Sequence, residues 1–144
     1  MTSSGSAATT LSGGLVYGGA MSIRTITPIL IVDAIEPLLP TYAAIGFTEA
    51  VRVPHGAHFG FVILVAGDRQ LMLQTQASLV EDLPPIAARK PKHLLYLDVD
   101  DADVEAKQAD RAPLVGPRDT PYGKREAWFE DAAGNVYGLA SPKK

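Results

Sequence analysis

Cysteine is absent from the whole 144-residue chain. No disulfide framework, thiol nucleophile or thiolate metal site can therefore be built, and a cytoplasmic location is the expectation. No excess of one charge is present either: 13 Lys and Arg stand against 16 Asp and Glu, a net charge of −3. Both signs are interspersed along the chain, which gives no basic footprint for nucleic acid or for an anionic membrane surface. No apolar run approaches the roughly 20 residues of a membrane-spanning helix. Gly-x-Ser-x-Gly is missing, and the glycine pairs Gly13-Gly14 and Gly18-Gly19 have no strand before them or helix after them. Nucleophilic catalysis and phosphate cradling thus lack their usual sequence supports.

Residues 1–20 contain no charged side chain and are dominated by Ser, Thr, Gly and Ala. They lack the basic leader and continuous apolar core of a secretory signal. Residues 1–22 are read as a disordered tail, with Met21 as a candidate start of the folded part.

What remains has an apolar content (47% over the whole chain) ordinary for a globular protein, and its order repeats. Ile26 to Val32 reads as a strand, with Pro28 pointing to a sheet edge or a strand start. Asp33 is a candidate N-cap for a helix over Ala34 to Ala44, which Gly46 stops; Pro37 suits its first turn, whereas Pro40 calls for a late start or a kink. Strands are expected over Phe47–Val53, 58–66 and 70–76. A connector over 78–91 carries Pro84, Pro85 and Pro91 and has room for a short helical turn. The order then returns: a strand at His93–Val99, a helix capped by Asp100 or Asp101 and running to about Asp110, and a short strand at Leu114–Pro117. A loop over Arg118–Gly123 leads into a closing hairpin turned at Asp131–Asn135. Each half reads βαβββ, and recurrence of the order supports the assignment more than any single segment does.

The segments Ile26-Thr27-Pro28-Ile29-Leu30-Ile31-Val32-Asp33, Ala44-Ile45-Gly46-Phe47, Leu95-Tyr96-Leu97-Asp98-Val99-Asp100-Asp101 and Tyr122-Gly123-Lys124-Arg125 to Asp131-Ala132-Ala133-Gly134-Asn135 carry a resemblance. They are similar to the vicinal oxygen chelate superfamily: glyoxalase I, bleomycin-resistance proteins, fosfomycin-resistance enzymes and extradiol dioxygenases. The closing turn departs slightly, with Asp-Ala-Ala-Gly-Asn where Asp-Pro-Asp-Gly-Asn is usual. The resemblance implies an α+β fold over residues 23–142. Two βαβββ modules (about 23–77 and 92–142) would form one cupped mixed sheet with helices outside, usually as a homodimer.

It also implies where a metal would sit. In the metalloenzymes the ligands project into the cup from the first and last strand of each module, and here those places hold Thr27, Met72, Leu94 and Gly138. None offers an imidazole or a carboxylate, whereas a catalytic divalent ion takes about three such protein ligands. His93 lies one residue from a ligand position, so strand alternation sends it to the other face. His55 and His58 belong to a loop region, and Asp100, Asp101 and Asp103 are explained by helix capping.

Alternation also selects the residues of the cup. Trp128, Tyr96, Met72, Leu94 and Ile29 would form an apolar lining, with Thr27, Gln74, Asp98, Glu126 and Glu130 as polar points. Val136, Gly138 and Ala140 are small and would open room. Such a lining suits a small molecule, with an indole free to stack on a flat or cationic ligand. Trp128 and Tyr96 also fit plain packing at a module or dimer interface. The reading is a metal-free protein of the bleomycin-resistance type that sequesters an aromatic or cationic molecule, without cofactor or catalytic residue. Two alternatives stand: a glyoxalase- or dioxygenase-type enzyme with a metal site rebuilt from Glu126, Asp98 and a histidine, and an interaction domain whose cup is filled by its own side chains.

Overall fold

The computed structural model describes residues 22–144. The expectation of a disordered tail over 1–22 falls, apart from Ser22, outside the described residues.

The first half runs β1 (Ile23–Val32), a 3-10 turn (Glu36–Leu38), α1 (Leu39–Ala44), β2 (Thr48–His55), β3 (His58–Ala66) and β4 (Arg69–Thr75). The second half runs β5 (His93–Val99), α4 (Ala102–Gln108), β6 (Val115–Asp119), β7 (Lys124–Glu130) and β8 (Val136–Pro142). The expected βαβββ order is present twice. All eight strands join one mixed sheet in the order β2-β3-β4-β1-β5-β8-β7-β6, so the halves meet where β1 pairs antiparallel with β5. β4 lies parallel to β1, and β8 parallel to β5.

Several local expectations are corrected. Pro28 lies in a central strand rather than at an edge; pairing with β4 begins only at Ile29, so Pro28 precedes the doubly paired stretch. The helix expected over 34–44 is a 3-10 turn followed by one short α-helix, because Pro37 and Pro40 each restart the backbone; Asp33 caps neither piece. Asp101 does cap α4, accepting from the N–H groups of Asp103 and Val104. At the closing turn the Asp131 carboxylate accepts from the backbone N–H groups of Ala133 and Asn135 and from the Asn135 amide.

The connector departs furthest from expectation. It forms two helices, α2 (Gln76–Asp82), capped by the Thr75 hydroxyl, and α3 (Pro84–Ala87), whose Pro-Pro start suits a first helical turn. These helices do not lie outside the sheet with α1 and α4. On one face α1 covers Val62, Leu64 and Leu73, and α4 covers Ala127, Phe129 and Leu139. On the other face Leu79 of α2, Ile86 of α3 and Leu83 between them pack against Ile29, Met72, Leu94, Tyr96 and Trp128. Gly60 permits that approach, since a Cβ there would stand 2.6 Å from the His55 Cβ and 3.2 Å from the Ser78 Cβ.

Candidate functional site

Strand alternation placed the candidate residues on one face, and the pairing registers put them there together. Ile29 lies opposite Leu94 and Thr27 opposite Tyr96; Ile29 also pairs with Met72, and Tyr96 with Gly138. Trp128 is the cross-strand partner of Gly138. This is the face that α2 and α3 cover. Thr27, Ile29, Met72, Gln74, Leu94, Tyr96, Glu126, Trp128 and Gly138 are buried there, while Asp98 and Glu130 are half-buried.

The expected room around Gly138 is not open. A Cβ on Gly138 would meet three atoms of the Trp128 indole at 2.9 Å, so the ring occupies the place a side chain would take. Trp128 is 2% exposed. Its ring also lies 5.9 Å from that of Tyr96, tilted by 46°. Truncating Trp128 to Ala would open the core at a cost of about 3–5 kcal/mol, so it cannot serve as an anchor removable without loss of stability.

At the centre of the polar part stands Glu126, 0% exposed. The hydroxyls of Tyr96 and Tyr122 both donate to its Oε2 at 2.5 Å. Trp128 Nε1 donates to Oε1 at 3.1 Å, and Arg118 Nη2 reaches the same oxygen at 3.3 Å. Burial, followed by the adjacent Glu126 carboxyl, pushes both tyrosine hydroxyls well above the usual tyrosine range. Tyr122 is 57% exposed, yet its hydroxyl points inward: the ring faces solvent while its tip completes a buried network. Arg118 also binds the Asp82 Oδ1 at 2.9 Å, tying α2 to the network. Its Nε is buried with no hydrogen-bond partner.

Arg118, Tyr122 and Asp82 are not among the site residues expected from the sequence. Arg118 was placed in a loop, but β6 extends to Asp119. Between Val115 and Arg118 the strand carries one residue more than its partner, so Val115 faces Trp128 and Arg118 faces Glu126. Such a bulge on an edge strand re-aims a side chain, and Gly116-Pro117 just before Arg118 was the available signal.

The other two acids expected at this site are likewise matched by cations of this chain. Asp98 accepts from Thr25 Oγ1 at 2.7 Å and lies 3.3 Å from Lys124 Nζ, and Glu130 pairs with Arg89 at 3.0 Å. Arg125 faces Asp103 and Asp119, away from the candidate face. His55 meets Glu81 and His58 meets Glu36; His93 is exposed. Gln74 Nε2 donates to Ser78 Oγ at 3.3 Å, a second polar tie to α2.

A divalent metal of the kind the resemblance implies does not fit these residues. Thr27, Met72, Leu94 and Gly138 occupy the four inherited places, and the Glu126 carboxyl is already engaged by four donors. Among the described residues no three His, Cys, Asp or Glu side chains are grouped to hold a metal ion. Among the same residues, no helix is long and apolar enough to cross a membrane.

Comparison with protein-family models finds no match, and comparison with curated proteins finds none. Solved structures do match. A glyoxalase/bleomycin resistance protein/dioxygenase superfamily member from Vibrio splendidus is 15% identical, with 83% of this chain and 99% of that one covered and a TM-score of 0.62. A protein from Staphylococcus aureus is 18% identical over 85% of this chain and 100% of its own, at a TM-score of 0.59. Methylmalonyl-CoA epimerase from Mycobacterium tuberculosis is 13% identical over 90% and 94%, at 0.58. At these identities the likeness concerns the backbone architecture, and it agrees with the doubled βαβββ order and the eight-stranded mixed sheet. This chain has the glyoxalase/bleomycin resistance protein/dioxygenase fold, that of the vicinal oxygen chelate superfamily.

Proposed function

We propose that this protein is a metal-free small-molecule-binding protein, acting as a homodimer, that takes up an apolar aromatic molecule on the face around Trp128 and Tyr96. The carrying observation is the composition of that face: Thr27, Met72, Leu94 and Gly138 stand at the inherited metal positions, surrounded by Ile29, Tyr96 and Trp128. An aromatic ligand is favoured over a cationic one, since Glu126, Asp98 and Glu130 already face Arg118, Lys124 and Arg89. For the homodimer, the supporting observation is exposed apolar surface between α1 and α4, where Ile26 is 63% exposed near Leu95.

Entry of a ligand requires α2 and α3 to move. Exposing Leu79, Leu83 and Ile86 costs about 1.5–3 kcal/mol each, which ligand burial has to offset. That covering supports a second reading, in which the face is filled permanently and the domain serves as an interaction module.

A thermal-shift screen against flat aromatic antibiotics and catechols, with and without divalent metals, separates the two when paired with amide hydrogen exchange over 76–87. A ligand at about a hundred times its Kd should stabilise the fold by about 2.7 kcal/mol, and exchange in α2 and α3 should rise. No shift, with 76–87 protected throughout, would leave the interaction module. A shift only with metal would overturn both readings.

A further inference from the structure

A crevice at the ends of β1 and β4 lies beside the face discussed above and opens elsewhere, at the end of the sheet. These neighbouring strands run parallel and finish side by side, with Val32 paired to Thr75. Their continuations then part. The chain leaving β1 reaches the 3-10 turn and α1, on the face of Val62, Leu64 and Leu73. The chain leaving β4 enters α2, on the opposite face with Phe61, Ile63 and Met72. Where adjacent parallel strands send their connections to opposite faces, a crevice opens beyond their carboxyl ends, the usual place for a ligand in open α/β sheets.

Here that crevice has a volume of about 640 Å³, within the range of small-molecule sites. Ile31, Val32 and Leu38 supply apolar wall, and Lys90 and Lys92 stand against a single lining carboxylate, Asp33. Two contacts hold the frame: the Ile31 N–H donates to the Lys92 carbonyl at 2.9 Å, and the Gln76 amide donates to the Ala87 carbonyl at 3.1 Å. The lysine ion pairs among the described residues are those of Lys124 and Lys144, so neither crevice ammonium group is neutralised by a carboxylate. Lys90 also has φ +49°, just past the end of α3. Glycine is the residue that takes this left-handed position without steric cost, so a lysine there keeps its side chain at the expense of backbone strain.

We propose that this crevice binds an organic monoanion, an aryl carboxylate whose ring lies on Ile31, Val32 and Leu38 while its charge meets Lys90 and Lys92. The site adjoins the Trp128 face, since Ile31 also packs against that core and Gln76 and Ala87 belong to the helices covering it, but it needs no movement of α2 and α3.

The test is an amide NMR titration of the full chain with 2-naphthoate, with neutral 2-naphthamide in parallel. Saturable shifts at Val32, Gln76, Lys90 and Lys92 are expected. Naphthamide, and naphthoate with the Lys90→Gln/Lys92→Gln variant, should each bind about five- to tenfold more weakly. Lys90→Gly separates charge from backbone: it should raise Tm and weaken naphthoate binding, whereas unchanged affinity would reduce Lys90 to a helix cap. A dispersed spectrum confirms that each variant is folded. The proposal is overturned if no saturable shift occurs up to about 10 mM, if naphthamide binds as well as naphthoate, or if the shifts surround Trp128 and Tyr96 instead. The last outcome would leave the Trp128 face standing as a site.

Discussion

In the first half of the sheet Ile63, Met72 and Ile29 lie side by side across β3, β4 and β1. The corresponding strands of the second half, β7, β8 and β5, hold Trp128, Gly138 and Tyr96 in the same arrangement. One trio fills its space with three medium aliphatic side chains, the other with two large rings and a glycine that yields to one of them. Equal volume can be filled either way, but aromatic tips carry polar groups that need partners when buried. Two residues before Trp128 that partner is Glu126, whereas two residues before Ile63 the first half has Phe61. The second half thus acquired a buried carboxyl, and with it Arg118 and Tyr122, as a consequence of how it fills its core.

Breaking that network should have the largest effect. Glu126→Ala leaves two tyrosine hydroxyls, an indole N–H and Arg118 without their acceptor, and should destabilise the fold by about 3–5 kcal/mol in urea unfolding. A loss below about 1 kcal/mol, the scale of a surface ion pair, would mean the network contributes no more than surface charge. Next comes the fit of ring to glycine. Gly138→Ala should cost about 1–3 kcal/mol by overpacking, and less in a Trp128→Leu background. Equal cost in both backgrounds would show that the indole does not set the limit at Gly138.

The smallest effect is the pH dependence. The Tyr96 and Tyr122 hydroxyls have raised pKa values in the folded state, so their contribution is complete below the unfolded tyrosine value of about 10. It is lost as pH rises from there toward the folded values, because only the unfolded chain releases those protons. Unfolding followed from about pH 8 to 11 should show stability falling above pH 10, and Tyr96→Phe with Tyr122→Phe should flatten that fall. An unchanged alkaline limb in the double variant would remove both hydroxyls from the account.

Much of this was legible along the chain. Period-two alternation carries facing within each strand, and the family resemblance joins those faces into one cup of Thr27, Ile29, Met72, Leu94, Tyr96, Glu126, Trp128 and Gly138. The closing turn was legible because Asp131, Gly134 and Asn135 act on their own neighbours. What lies above that face was not. Leu79, Leu83 and Ile86 sit in a proline-bearing connector too short for a helical period to stand out, and their partners are distant in sequence. Arg118 was missed for a related reason, since a one-residue bulge alters which residue it faces without altering composition.

The doubled βαβββ order and the facing of each strand follow from the chain alone, because each depends on neighbours within a few residues, and the family resemblance then shows which four positions lack ligating groups. Long-range packing closes the face with α2 and α3, seats the Trp128 ring in the gap at Gly138 and shares Glu126 among four donors. Those outcomes rest on packing and hydrogen bonds between residues far apart in the chain, where distance and angle decide and local pattern is silent.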